Sequence, residues 1–317
     1  MVTLKKLAAR EEPFAGGHTL CPGCSIPVIL KLVLRASRHP LVVSTAAGCL
    51  QMASARIPRT SWNLNWIHTG GAGAAASISG VAATYRALKK KGKLPMEQKI
   101  KFLVIGGDGS TYDSGLSAMS GMMERGEDVV YLCYDNQLAA GTGGQASSAT
   151  PMGAATPTTP IGDVLPGKLQ SRKNITAIVA AHKIPYVAQS APWIWNDLYR
   201  KAEKSFDTDG PAFLNVLSPC PGEWKTPSAK TIELTRLASD TCIWPIFEIK
   251  NGFKITVNYK PKQKLPVTEW LKTQQRFTHL LCQENKWIVD KIQEEVDNDW
   301  NYLLSLDKDE ENKHRDN

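Results

Sequence analysis

Two clusters of residues in this sequence have the types and spacing to do chemistry. The first is I-G-G-D-G-S-T-Y-D at 105–113, followed by Y-D-N-Q-L-A-A-G-T-G-G-Q at 134–145. A carboxylate (Asp108) and an amide (Asn136) are hard oxygen ligands for a divalent cation. The glycines beside them, Gly107 and Gly109, leave backbone N–H groups open to a phosphorylated ligand. The second cluster is C-P-G-C at 21–24, with single cysteines at Cys49 and Cys220. A CxxC ahead of a helix serves equally as a redox dithiol, half of a zinc site or part of an iron–sulfur site. One short pair plus two distant singles suits a buried cluster better than a structural zinc, which usually takes paired short spacings. The other thiols read as packed side chains: Cys133 lies inside a strand, and Cys242 and Cys282 lie in the C-terminal third.

The elements that must position these residues follow from periodicity. Apolar runs at 100–105 and 129–134 read as strands, and 114–125 has helical spacing, so the unit is a βαβ crossover with parallel, right-handed connection. Asp108 and Asn136 then emerge together at the carboxyl edge of one sheet, where open α/β sheets bind ligands. Strands at 41–43 and 213–217 deliver Cys49 and Cys220 to the same edge. A helix over 26–36 follows the CxxC, and further helices (175–181, 195–206) alternate with a strand at 186–188. The alternation predicts an α/β, doubly wound, mostly parallel sheet. Residues 54–68 read as irregular. The glycine- and alanine-rich stretch 70–80 leads into a helix ending at Lys89-Lys90-Lys91. Its dinucleotide-like look is weak, because no strand is expected directly before it. Residues 146–168 form a long loop of the kind that is usually functional.

From Thr226 the texture changes. A hairpin around Asn251-Gly252, a basic linker at 260–266 and a last helix with Ile288, Ile292, Val296, Trp300 and Leu303 on one stripe read as a wrapping appendage. The division is 1–225 for the α/β body, 226–306 for the appendage and 307–317 for a charged, disordered tail.

The chain has 317 residues, 42% hydrophobic and 21% charged, which is the make-up of a soluble globular protein long enough for a large core. No apolar run reaches the roughly eighteen residues of a membrane helix, and the N-terminus lacks a secretory pattern, so a cytoplasmic location is expected. The net charge of +8 is scattered rather than clustered with aromatics, which argues against nucleic acid as a partner. Seven cysteines in such a setting are not expected to form disulfides.

Taken together, G-D-G at 107–109 with Asn136, and C-x-x-C at 21–24 with Cys49 and Cys220, resemble the thiamine-diphosphate-binding β subunit of the 2-oxoacid:ferredoxin oxidoreductases. The likeness runs from His18 to about Asn251. It implies that Asp108, Asn136 and the carbonyl of Leu138 bind Mg²⁺. It further implies that Gly48, Cys49, Gly107, Gly109, Ser110 and Thr142 surround the diphosphate, and that Cys21, Cys24, Cys49 and Cys220 hold a [4Fe–4S] cluster. By the same likeness, a partner subunit supplies the glutamate that activates thiamine and another carries ferredoxin-type clusters. The chain is therefore expected to be inactive alone, with electrons passing to ferredoxin.

Two departures bear on the substrate, a small oxoacid. Pyruvate-type members carry a bulky stretch where this chain has Thr69-Gly70-Gly71-Ala72-Gly73, and an Asn where it has Gly141. On those grounds the chain looks like the oxalate-oxidising branch, with a pyruvate:ferredoxin oxidoreductase as the alternative. Arg56 and Arg59 are candidates for positive charge near the substrate, against a surface ion-pairing role. A thiamine decarboxylase without redox chemistry leaves the cysteines unexplained. A zinc-stabilised scaffold subunit leaves the G-D-G and Asn spacing unexplained.

Overall fold

Strands form here where β-branched and aromatic residues run with both faces apolar, and the side chains then sort by alternation. In β3 (Lys101–Gly107), Phe102 and Val104 join one core while Leu103 and Ile105 join the other. In β4 (Val129–Asp135), Tyr131 and Cys133 face the first core, and Leu132 and Tyr134 the second. Every residue of β4 is buried, as a central parallel strand covered on both faces requires. The computed structural model describes residues 3–313 apart from positions 57 and 163, with side chains as far as Asp307.

Chain order begins with α1 (Leu4–Ala8) and α2 (Ile26–Leu34), followed by β1 (Leu41–Ala46), α3 (Cys49–Ser54), β2 (Asn65–Thr69) and α4 (Ala74–Lys90). After β3 come α5 (Leu116–Glu124), β4, α6 (Ile175–Ala180), β5 (Tyr186–Ser190), α7 (Trp195–Asp207) and β6 (Ala212–Leu217). The chain closes with α8 (Pro221–Trp224), α9 (Thr231–Asp240), β7 (Ile246–Lys250), β8 (Lys254–Tyr259), α10 (Val267–Leu271) and α11 (Lys286–Lys313). The sheet has eight strands in the order β2-β1-β3-β4-β6-β5-β7-β8. β1 to β6 are parallel, and β7 and β8 pair antiparallel at one edge. This is the α/β, mostly parallel architecture expected from the alternation of elements.

Three differences from the sequence reading matter. Residues 65–68, the end of the stretch expected to be irregular, lie in edge strand β2, so a strand does directly precede the glycine-rich stretch. Its half-exposed N-W-I-H-T lacks the apolar run that marks a central strand. The hairpin at 246–259 turns through Asn251 and Gly252, both at positive φ, but it continues the main sheet. The sheet therefore crosses the boundary drawn at 225, and the C-terminal third completes the core. Trp270, Phe277, Ile288 and Ile292 are buried in the same cluster as Tyr131 and Phe213. Helix α11 runs to Lys313, past the boundary drawn at 307, and Asp307 accepts from the Val257 N–H at 3.1 Å. Residues 314–317 lie outside the described residues. Cys133 and Cys242 are buried as expected, but Cys282 is exposed, because it sits in the surface turns that lead into α11.

Candidate cofactor site

The register of the sheet places the site. Gly107 pairs with Tyr134, so Asp108 follows β3 beside Asp135 at the end of β4. Asp135 in turn pairs with Leu217, which brings Asn136 beside Ser218 and the approach to Cys220. After β1 the chain moves outward to β2, then returns past β1 to β3 on the other side, so the β1–β3 crevice is the topological switch point. Gly48, Cys49 and Asp108 stand at its carboxyl end. A π-helical turn, Gly109–Ser114, follows Asp108, closed by the Gly115 N–H on the Ser110 carbonyl at 2.8 Å. Such turns mark functional sites because they spend backbone regularity on placing a side chain.

Asp108 has no exposed surface. It accepts from the Ser147 hydroxyl and from the Asn136 N–H at 3.3 Å. Burial, then the neighbouring Asp135 carboxylate, push its pKa well above the usual range, against the Ser147 hydrogen bond. The Asn136 amide points one end at Asp108 Oδ1 and the Leu138 carbonyl, 2.6 Å from each. With its oxygen there, three oxygens face one another with no donor between them, an arrangement a hard cation satisfies. With the amide turned, its nitrogen donates to both. One carboxylate, one amide and one carbonyl thus fit a Mg²⁺ ion. Among the described residues, no group of three or more His, Cys, Asp or Glu side chains is placed to hold a metal ion.

Two cavities meet at this edge. One, of about 400 Å³, is lined by Gly48, Cys49, Gly107, Asp108, Gly109, Ser110, Asn136, Leu138, Gly141 and Thr142, all of the residues singled out for thiamine diphosphate and its metal. Its glycine-rich floor suits a diphosphate. The other, of about 290 Å³, is lined by Cys21, Cys24, Cys49 and Cys220. All four thiols are free and line this one cavity. Burial first, and then the other cysteines of the group, push Cys24 up to about 12; burial and the same neighbours do so for Cys49. The two cavities share Cys49, Asn136, Ala140 and Gly141 as a common wall.

That wall gives Gly141 a packing role. A Cβ there would lie 2.7 Å from the Cys49 nitrogen and 2.9 Å from Gly48 Cα, so the 139–142 turn lies directly on the Gly48–Cys49 backbone. Arg56 lines the cysteine cavity and is exposed, Arg59 is exposed, and among the described residues neither has an ion-pair partner.

Comparison with known proteins places this geometry. Residues 46–216 match the thiamine pyrophosphate enzyme family, C-terminal TPP binding domain. The pyruvate synthase subunit PorB of Thermotoga maritima is 44% identical over 315 residues, covering 97% of each chain. PorB of Methanocaldococcus jannaschii is 44% identical over 289 residues, covering 91% of this chain and 95% of its own. The chain belongs to the thiamine-diphosphate-binding β subunits of the 2-oxoacid:ferredoxin oxidoreductases. A ketoisovalerate oxidoreductase subunit VorB from Pyrococcus horikoshii is 38% identical over 297 residues, covering 93% of this chain and 94% of its own. In fold, the β subunit is similar to a 2-oxoglutarate:ferredoxin oxidoreductase from Magnetococcus marinus, at 19% identity and TM-score 0.56, over 72% of this chain and 81% of that one.

The sequence did not point to several side chains that hold the site of this β subunit. Trp224 Nε1 donates to the Asn136 carbonyl at 2.9 Å, and Thr150 donates to the Gln137 carbonyl at 2.7 Å. Asp135 is held by Arg172 at 2.8 Å and by Tyr112. Gln137 has φ 63, a left-handed conformation that turns the chain between the two metal-facing residues. Ser147 and Thr150 lie in the long 146–168 loop whose length alone marked it as functional. Trp224 and Arg172 carry no local signal, because their partners are distant in sequence.

Proposed function

We propose that this chain is the β subunit of a pyruvate:ferredoxin oxidoreductase. In this reading Asp108, Asn136 and Leu138 hold Mg²⁺. Gly48, Gly107, Gly109, Ser110 and Thr142 cradle thiamine diphosphate, and Cys21, Cys24, Cys49 and Cys220 carry a [4Fe–4S] cluster. The observation that carries the reading is the shared wall: Cys49 and Gly141 belong to both cavities, so an electron has only that wall to cross. Thiamine diphosphate, when bound, is the electron sink for decarboxylation of a 2-oxoacid, and an iron–sulfur cluster takes the electrons one at a time. The chain's own residues do the rest. The Asn136–Leu138 turn, pinned by Trp224, presents oxygens to the metal, and the β1–α3 turn carries Cys49 from one cavity to the other. The activating glutamate and the outward electron path come from partner subunits.

Pyruvate replaces oxalate as the favoured substrate for two reasons. Relatives alike over almost the whole chain are pyruvate synthase subunits. Gly141, the main clue to oxalate, has a packing explanation in the close approach of Gly48 and Cys49. The test is anaerobic turnover of the intact complex, with coenzyme A and a viologen dye, on pyruvate, oxalate and a branched 2-oxoacid. Pyruvate is expected to give the highest kcat/KM; turnover confined to oxalate or to the branched acid overturns the substrate reading. A Cys24→Ala/Cys220→Ala complex with the same iron content as the unmodified one overturns the cluster, since the partner's clusters contribute iron of their own.

A further inference from the structure

Arg276 is a buried cation that forms no ion pair among the described residues. The residue is 4% exposed, in the loop region between α10 and α11. Its guanidinium carbon lies 4.1 Å from the ring centroid of Trp224 and 4.9 Å from that of Phe277. Nη2 donates to Gln137 Oε1 at 2.5 Å, and Nε donates to Gln274 Oε1 at 3.0 Å. Nη1 is buried with no hydrogen-bond partner. Among the described residues no carboxylate forms an ion pair with it. A charge buried in this way is costly, and aromatic faces return only part of the cost. Burial pushes the Arg276 pKa down to about 9, against the opposing fields of Cys220, Asp108 and Asp135. Trp224, against which the guanidinium stacks, ties these groups together. Its backbone N–H donates to the Cys220 carbonyl at 2.9 Å, and its indole N–H donates to the Asn136 carbonyl.

We propose that Arg276 is the fixed positive charge shared by the cysteine cavity and the metal site, acting on both through its field and on the metal turn through Gln137. This rests on the reading of Cys220 as a cluster ligand. A cation held near the cluster favours the form carrying the added electron, so Arg276 raises the cluster's reduction potential. It is a positioning and electrostatic residue, since it lines neither cavity.

The test uses the intact complex, purified anaerobically, and first identifies the iron and the EPR signal that a Cys24→Ala/Cys220→Ala variant loses, because the partner's clusters contribute signals of their own. Two neutral variants are compared, because either alone could fail to assemble. Arg276→Gln keeps polar contacts, and Arg276→Met fills the aromatic cage with a flexible apolar chain. Arg276→Lys restores the charge without the forked donor. Redox titration of the cluster signal is expected to shift the reduction equilibrium about tenfold toward the oxidised form in the neutral variants, which is about 59 mV for one electron. The lysine variant is expected to stay within about threefold of the unmodified protein. Neutral variants that titrate within about threefold of it overturn the proposal, as does a lysine variant displaced as far as they are. An unmodified complex whose iron content equals that of a Cys24→Ala/Cys220→Ala variant instead removes the cluster reading itself, which separates the two failures.

Discussion

A carboxyl group shut away from water holds its proton, and Asp108 is shut away on every side. Burial and the adjacent Asp135 raise its pKa, so in the apo chain Asp108 favours the neutral acid. Binding a divalent cation then has to displace that proton. Thiamine diphosphate binding at fixed, limiting Mg²⁺ is therefore expected to tighten as pH rises above the ordinary carboxylate range, followed by quenching of the protein's tryptophan fluorescence. The linkage runs the other way for the apo fold. A folded carboxyl that keeps its proton while the unfolded one releases it makes stability fall as pH rises past the ordinary carboxylate range. Asp108→Asn is expected to abolish the pH dependence of cofactor binding and to stabilise the apo chain at neutral pH. A variant that still tightens its hold on the cofactor with rising pH would show that another group titrates.

Elements decide how closely the two cavities approach. The turn after β4 lies on the turn after β1 because Gly141 has no side chain, and the missing Cβ position is filled by the Cys49 nitrogen and Gly48. Arg276, Trp224 and Thr150 reach the adjoining turn from three different elements, which makes it one of the better-braced segments of the molecule. Gly141→Asn, which would restore the amide expected of pyruvate-type chains, has no room without moving the Cys49 backbone. Overpacking of this kind costs roughly 1–3 kcal/mol. The substitution is expected to lower the thermal midpoint and to deplete cluster iron. Unchanged iron and an unchanged midpoint would mean the turn can move aside.

At the scale of the whole molecule, the C-terminal third is joined to the body by the β5–β7 seam. Glu248 on β7 is 4% exposed and accepts from Tyr186 on β5 at 2.7 Å and from Lys204 on α7 at 2.8 Å. Burial pushes its pKa up, but Lys204 and Tyr186 together bring it below 4.5. A depressed carboxylate contributes stability that is present above its unfolded value and lost as pH falls through the folded one. Glu248→Gln is expected to destabilise the chain at pH 7, with the gap to the unmodified protein closing below pH 4.5 in urea denaturation. A gap that persists unchanged at low pH would mean that packing, and not charge, joins the seam. The seam also explains why Arg276 can serve a site built mainly from β1, β3, β4 and β6: residues after 226 close over the face that carries Asn136.

The sequence by itself determined the strands, the carboxyl-edge placement of Asp108, Asn136, Cys49 and Cys220, and the family. These depend on local signals: strand periodicity of two, glycine turns, and side-chain types that only certain ligands need. It misread β2, because an edge strand buries too little to show an apolar run. It also read the C-terminal third as an appendage, because nothing local says that β7 pairs with β5. Only the tertiary structure decided that Gly141 is a packing glycine, since the Cys49 backbone it meets lies more than ninety residues earlier. Arg276 became visible only there for the same reason: its importance lies in Gln137, Trp224 and Cys220, which the chain brings to it by folding.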